Sequence, residues 1–494
     1  MVWLALLPIM WIIGSLVSQK LSSRIVLPIG MMLTLLIGFF GWGLSVQELS
    51  AAGLVGIFQG LEIMTIILGA LLFLSVTKVT GVLDSLITSV RSLSPDPARQ
   101  TLIIGFILGS FVEGIAGFGT PAMITAPILV SLGLPVATAV TLSLVFNSAA
   151  VSFGAAGTPI FALQNILSTP LENLPLWTSL GHSLAIILLP ILGLILLRIL
   201  PPHIPTRPNL WFAARIGLIY SASSMLTAWI LGPELPSILA PLITLGLIVA
   251  TSKVSPSTIR SKKLLPYVWI AGILLLTRIR FLPFREWLGS VSLTWESILG
   301  TAVKYSVTPL LNPGIIPFLP VVIAMIWLYR IPKSRNIIAE NVAKIAKAAP
   351  ALVSALILVR IYMVSEISTD LGMITTIAQP LTTFGPEVAI ASSALIGALG
   401  SFLTGSATVS NILMGPLQVQ TAELLELSPV LILSLQAVGS AIGNMISIGN
   451  IIAVGTVVHM SQSEGTILKQ NIPIVFGYAT IATITLTLIS WILS

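Results

Sequence analysis

Long apolar stretches alternate with short charged loops along this chain, and the alternation predicts membrane-spanning helices. Residues 3–19, 25–44, 51–76, 181–200, 209–231, 234–251, 314–329, 348–367 and 472–493 each read as one helix. Each is almost free of charge over the roughly 20 residues that cross a bilayer. Residues 265–310 are read as holding one more crossing. Two further regions, 109–160 and 400–451, are apolar in bulk but interrupted by Gly, Ser, Thr, Asn and Pro. They are read as broken helices.

These two regions align without a gap at an offset of 291 residues. Gly109-Ser110-Phe111 matches Gly400-Ser401-Phe402, and Leu142-Ser143-Leu144 matches Leu433-Ser434-Leu435. Lipid-facing backbone cannot leave its polar groups unpaired, so interrupted segments at this depth must face protein or a cavity. Duplicated interruptions in two halves of an apolar chain point to a transporter's binding site.

Loop charge carries an independent signal. Lys20, Arg24, Lys78, Arg91, Arg99, Arg198, Arg207, Lys253, Arg260, Lys262, Lys263, Arg330, Lys333, Arg335, Lys344 and Lys347 all fall in loops assigned to the cytoplasm. The loop after 51–76 is basic, whereas the loop after its shifted partner 348–367 carries Glu366, Asp370 and Glu387. Sidedness inverts in the same way at the other pairs. The expectation is an all-α polytopic membrane protein with about 12 crossings, two inverted-topology repeats and broken or re-entrant helices. A single transport domain fills 1–494, with a first repeat at 20–200, connecting helices at 201–310 and a second, inverted repeat at 311–494. A chance match of small-residue segments is the alternative; the loop charges played no part in the alignment and agree with it. Arg278, Arg280 and Arg285 would lie outside, against the charge rule, and suggest an interfacial segment.

Composition supports this class. Mean hydropathy is +1.06 and only 8% of residues are charged, against about 25% in a soluble domain. The net charge of +7 sits in loops, where it reads as a topology signal rather than a nucleic-acid surface. Cysteine is absent, which excludes disulfides, thiolate metal sites and a thiol nucleophile. His182, His203 and His459 are too scattered for a metal site. No GxxxxGK[ST] phosphate loop is present. Neither an enzyme nor an ATP-driven pump is expected, and no cofactor, metal or nucleic-acid partner. Residues 3–19 lack a basic leader and a small-residue cleavage site, so they read as a retained helix.

Candidate chemistry concentrates in the interrupted regions. Glu113 sits in GSFVEGIAGFGTP among Gly109, Gly114, Gly117 and Gly119. An acid at this depth must pair or exchange protons; proton coupling and a structural carboxylate are both open. Glu62, in helix 51–76, is the second proton-relay candidate, or a polar tie between helices. The second region offers Thr404, Ser406, Thr408, Ser410 and Asn411, then Gln436, Ser440, Asn444, Ser447 and Asn450; the first offers Thr120, Asn147, Ser148, Ser152 and Thr158. Such groups can donate to a carboxylate without adding charge, and equally they pack helices. Arg360 can clamp a carboxylate or snorkel to the interface.

At these motifs the chain resembles the lactate permease family over nearly its whole length. EGIAGFGTP at 113–121, GSFLTGSATVSNILMGPLQ at 400–418 and LQAVGSAIGNMISIGNI at 435–451 are similar to three family segments in length and order. Glu113, Gly114, Gly117, Phe118, Gly119, Thr120, Pro121, Gly405, Ser406, Thr408, Ser410, Asn411, Gly443, Asn444 and Asn450 agree with the family pattern. Ala407 stands where asparagine is common, and Gly449 where histidine is frequent. The resemblance implies a bacterial inner-membrane carrier of lactate, often of glycolate, working by proton symport. Glu113 or Glu62 would carry the proton. Gly117, Gly119, Thr120, Asn147, Ser406, Thr408, Ser410, Asn411, Asn444, Asn450 and Arg360 would hold the anion. Sodium coupling, another organic anion and a passive anion channel are the alternatives.

Overall fold

The computed structural model describes residues 1–18, 20–117, 119–165, 171–200, 209–251, 262–279, 282–460 and 464–493. Phe118, His203, Arg207, Lys253, Arg260 and Arg280, and Gln19 at the end of the first predicted helix, lie outside the described residues.

The first half runs α1 (Val2–Val17), α2 (Ser23–Trp42), α3 (Val46–Val79), α4 (Val82–Arg91) and α5 (Pro97–Thr101). A π-helical turn, Leu102–Leu108, leads into α6 (Gly109–Ala116), followed by α7 (Thr120–Ser131), α8 (Val136–Val151), α9 (Gly154–Asn165) and α10 (Leu174–Ile199). Next come α11 (Leu210–Leu231), α12 (Pro236–Thr251), α13 (Leu265–Arg278), α14 (Pro283–Gly289) and a small hairpin of β1 (Leu293–Trp295) and β2 (Tyr305–Val307). The second half holds α15 (Leu319–Leu328), α16 (Ser334–Ser368), α17 (Met373–Thr382), α18 (Gly385–Thr404), α19 (Ala407–Leu424), α20 (Pro429–Gly443), α21 (Ile448–Val457) and α22 (Glu464–Leu493).

Among the described residues, nine helices are long and apolar enough to cross a membrane, or up to eleven if each of two bent pairs is one crossing. The sequence reading of about 12 exceeds this, because it counts 3–19, 234–251 and 314–329 as crossings, and the helices there, Val2–Val17, Pro236–Thr251 and Gly314–Leu328, are shorter than the other spans. Among the described residues the only strands are β1 and β2, which pair antiparallel with Trp295 opposite Tyr305.

Each predicted helix is present, and several are longer than their apolar cores. Helix α3 starts five residues before the apolar run because Ser45 and Glu48 form a capping box: Ser45 N–H donates to Glu48 Oε2 at 2.8 Å and Glu48 N–H to Ser45 Oγ at 3.2 Å. Helix α16 begins in the polar stretch from Ser334, whose hydropathy conceals a continuous helix. At 1.5 Å per residue both exceed about 50 Å, well beyond a hydrocarbon core of about 30 Å. They pack antiparallel: a Cβ on Gly56 would meet Ile357, one on Gly60 would meet Val353, and Asn341 donates to Ser75 at 2.9 Å. Small residues let the two backbones approach closely.

The interrupted regions fold as helical hairpins followed by broken helices. In the first, Gly105 lies opposite Leu129 and Gly109 opposite Thr125, so the chain from Leu102 to Ala116 runs antiparallel to α7. In the second, Ser410 donates to Gly397 O and Gln418 to Ser393 O, so α18 runs antiparallel to α19. Helix α7 is only about 18 Å long, shorter than a hydrocarbon core of about 30 Å. Helices α18 and α20 meet backbone to backbone at three glycines: Gly397 faces the backbone at Gln436–Ser440, Gly439 faces Ala394 and Gly443 faces Ala398.

Residues 265–310 differ most from expectation. Helix α14 and Arg285 are exposed, as an interfacial segment would be, but Arg278 is buried. It is held by an ion pair with Glu234, Nε to Oε1 at 2.6 Å. A buried arginine is tolerated because it is paired.

Candidate functional site

The two hairpin tips are built alike. At the first, Gly117 and Gly119 both have positive φ (61° and 73°), and Thr120 Oγ1 donates to Gly117 O at 2.7 Å, closing the turn. Pro121 then sits in the first turn of α7, where its missing N–H costs nothing. At the second, Gly405 ends α18 with φ 71°, and Ser406 caps α19 by accepting from Val409 N–H at 3.3 Å. Each tip stops one helix and starts another within a few residues.

The broken helices pass beside these tips. Helix α9 is bent by 54° from α8, and Ala155, Ala156 and Gly157 are consecutively left-handed, with φ of 42°, 51° and 83°. For alanine this conformation costs about 1–2 kcal/mol per residue, so the surroundings must enforce it. Gly154 explains part of the enforcement: a Cβ there would run into Glu113 Oε1. On the same break, Ser152 Oγ donates to Ala437 O at 2.9 Å and therefore accepts from His182 Nε2 at 2.8 Å. His182 Nδ1 is then the acceptor for the Tyr478 hydroxyl at 2.7 Å. This buried chain satisfies a neutral imidazole completely and ties the break to α10, α20 and α22.

Glu113 is buried, with Asn147 of α8 as its polar neighbour. Its Oε2, like Asn147 Oδ1, is buried without a hydrogen-bond partner among the described residues. The carboxyl faces a small cavity of about 30 Å³. That cavity is lined by both tips and by the α8–α9 break, with Gly117, Gly119, Ser406 and Thr408 on the tips and Thr158 and Asn444 on the broken helices. The starts of α7, α9 and α19 all border it. The positive ends of three helix dipoles there favour an anion. Asn444 and Asn450 brace the floor: Asn450 Nδ2 donates to Asn444 Oδ1 at 3.0 Å, and Ser401 Oγ donates to the same atom at 3.1 Å. Asn450 also stands next to Gly119 and Gly405, between the two tips.

Not every sequence candidate comes to this cavity. Thr120 serves the turn. Ser410 and Asn411 are bonded within the second hairpin's surroundings: Ser410 donates to Gly397 O, Asn411 to Pro159 O at 3.0 Å, and Gln436 donates to both. Glu62 and Arg360 form a second polar cluster around Asn165. Arg360 donates to Gln59 Oε1 at 2.9 Å and to Asn165 O; Asn165 Nδ2 lies 3.5 Å and Tyr305 OH 3.4 Å from Glu62 Oε2. Asn165 is seven residues beyond Thr158, about 10 Å along α9.

Three features escape a sequence reading. The left-handed turn at 155–157 is hinted at only by the small residues of GAAGTP. The Ser152–His182–Tyr478 chain joins residues too far apart to link by spacing. Glu234 was legible as an acid in an apolar stretch flanked by Gly232, Pro233 and Pro236, but its partner Arg278 was not.

Comparison with known proteins agrees with this construction. The sequence model of L-lactate permease matches residues 2–263 and 277–493. A Haemophilus influenzae protein provisionally named an L-lactate permease is 31% identical over 97% of this chain and 96% of its own length. The L-lactate permease of Streptococcus iniae is 28% identical over 86% of this chain and 92% of that protein. The glycolate permease GlcA of Escherichia coli strain K12 is 26% identical over 90% and 87%. Among solved structures, the Alcanivorax borkumensis YdaH transporter covers 89% of this chain and 87% of its own at a TM-score of 0.50 and 16% identity, a likeness of fold alone. By its sequence from Val2 to Leu493, the chain belongs to the L-lactate permease family.

Proposed function

We propose that this protein is a secondary active carrier in a bacterial inner membrane, taking up small 2-hydroxy monocarboxylates such as lactate and glycolate with a proton. The observation that carries this reading is the cavity itself: three helix starts and the hydroxyls and amides of Ser406, Thr408 and Asn444 surround one buried carboxyl, Glu113. The helix starts hold the substrate carboxylate, and the hydroxyls and amides take its 2-hydroxyl group. Two negative charges cannot share so small a space cheaply, so Glu113 holds its proton while the anion is bound. Substrate and proton then travel together. At 100 mV, inside negative, each uncompensated charge costs about 2.3 kcal/mol, which one-to-one symport avoids. A volume of about 30 Å³ is that of about one water, so the tips must separate to admit substrate. Arg360 is committed to Gln59 and Asn165 and is left out of the substrate shell; Glu62 belongs to the outer cluster.

Inverted repeats supply the means of separation. Support comes from element order. Helices α2 and α3, the first hairpin, the α8–α9 break and α10 recur in sequence as α15, α16, the α18–α19 hairpin, the α20–α21 break and α22. The loop charges at the paired ends are opposite in sign. Residues 20–200 and 311–494 are thus read as the two repeats, joined by 201–310, within a single domain.

Uptake of radiolabelled L-lactate, D-lactate and glycolate into proteoliposomes tests this, comparing an inward proton gradient with a sodium gradient. Accumulation above equilibrium with protons alone is the expected result. Accumulation with sodium alone would replace the coupling ion, and none under either gradient would remove both substrate and coupling from this reading.

A further inference from the structure

A second cavity, of about 160 Å³, lies along α9 beyond the central one. Glu62, Phe161, Asn165, Arg278, Arg285 and Asn312 line it. Thr158, Phe161 and Asn165 follow one another at three and four residues, so they share a face of α9. That face borders the central cavity at Thr158 and the second cavity at Phe161 and Asn165. One helix surface therefore joins the two.

The unmet chemistry in the wall of this cavity is a donor. Arg278 is only 4% exposed. Its Nε donates to Glu234 Oε1 at 2.6 Å and its Nη2 to Leu311 O at 2.5 Å. Its Nη1 is buried without a partner among the described residues. Nature rarely leaves a buried guanidinium N–H unpaired, since the loss is that of a charge-assisted bond. An acceptor is wanted, and a carboxylate matches a guanidinium edge best. Arg285 adds a second, exposed cation on the same wall. The Glu234–Arg278 pair cancels its own charge, leaving Arg285 to offset Glu62. Liquid water takes roughly 30 Å³ per molecule, so the cavity has room for a lactate-sized anion, which the central one lacks in this state.

We propose that the cavity bordered by Arg278, Arg285, Asn165 and Asn312 is a second binding site for a small carboxylate, an outer station from which the anion moves along α9 to the central cavity. This rests on the carrier reading above. The chemistry assigned is narrow: one carboxylate steered by Arg285 and taken by the Arg278 guanidinium once its enclosed Nη1 turns to the cavity, with no role for Arg360.

Equilibrium binding of radiolabelled L-lactate to the purified protein in nanodiscs tests it, counting sites per chain. Two sites are expected for the unmodified protein. Gly154→Ala, which crowds Glu113, leaves only the outer one. Arg285→Gln weakens the outer site about two- to fivefold, the effect of an exposed charge. Glu234→Gln combined with Arg278→Gln removes both buried charges together and weakens it about tenfold or more. Should that double variant fail to fold, Arg285→Gln decides alone, because its side chain is exposed. A single site per chain, lost in Gly154→Ala and indifferent to Arg285→Gln, overturns the outer site while leaving the carrier reading intact. No lactate binding by the folded, unmodified protein overturns both.

Discussion

Replacing Glu113 by glutamine keeps the side chain's size and removes its negative charge, so it isolates the step that links proton to anion. The carboxyl lines the central cavity, so a bound substrate carboxylate can be no more than about one side chain away. At a separation of about 5 Å and an effective dielectric constant of about 20, two unit negative charges repel by about 3.3 kcal/mol. That is roughly 250-fold in affinity. In the unmodified protein, lactate should bind tightest when Glu113 is neutral, at low pH, and lose up to that factor as pH rises and the carboxyl ionises. The amide of Glu113→Gln resembles the neutral acid. Its lactate affinity should therefore be flat with pH and close to the low-pH value of the unmodified protein. In proteoliposomes, uphill uptake driven by protons should vanish while exchange of external for internal lactate continues. Uphill uptake of normal magnitude by Glu113→Gln, with the usual loss of affinity at high pH, would refute the reasoning and move the coupling proton elsewhere.

Three further outcomes follow from the geometry. Gly154→Ala should cut lactate uptake more than tenfold in protein that still purifies as a folded species, because its Cβ meets Glu113 Oε1; Gly53→Ala, with nothing within 4 Å, is the neutral control. Tyr478→Phe leaves His182 Nδ1 without its donor and should lower stability by about 1–3 kcal/mol, read as a fall in thermal unfolding temperature, with the KM for lactate unchanged. Arg360→Gln should likewise lower thermal stability through the lost ties to Gln59 and Asn165, while central-site affinity stays within about twofold; a large rise in that Kd would return Arg360 to the substrate shell.

Much of this architecture was legible because bilayer physics leaves few options. An apolar run of sufficient length becomes a helix, and small polar residues inside such a run mark backbone that faces protein. Glu113, Gly117, Gly119, Ser406, Thr408 and Asn444 were picked out on that ground, and the structure brings all six to one cavity. The polar extension of α16 was not legible, since hydropathy reports where lipid begins rather than where a helix does. Nor could Arg360 be separated from Glu113 by sequence: both are charges in apolar runs, and only the course of α9 puts them in different clusters. Ser410 and Asn411 matched the expected chemistry yet are absorbed by Gln436, a partner 26 and 25 residues away that spacing does not reveal. Arg278 was misread for the same reason, because its burial depends on Glu234, 44 residues distant.

The glycine seam between α18 and α20 limits how the cavity can open. With Gly397, Gly439 and Gly443 against bare backbone, the two helices have no clearance at this seam for one to slide over the other. The second hairpin cannot flap like a hinged lid while its neighbour stays still; its arm and the broken helix behind it form one rigid block. The block meets α9 where Asn411 Nδ2 donates to Pro159 O at 3.0 Å and Ile412 shares a core with Ile160 and Leu163. Access should therefore be gated by shear along that boundary. Its rate should respond to substitutions at Asn411 far more than to any change at the tip residue Gly405.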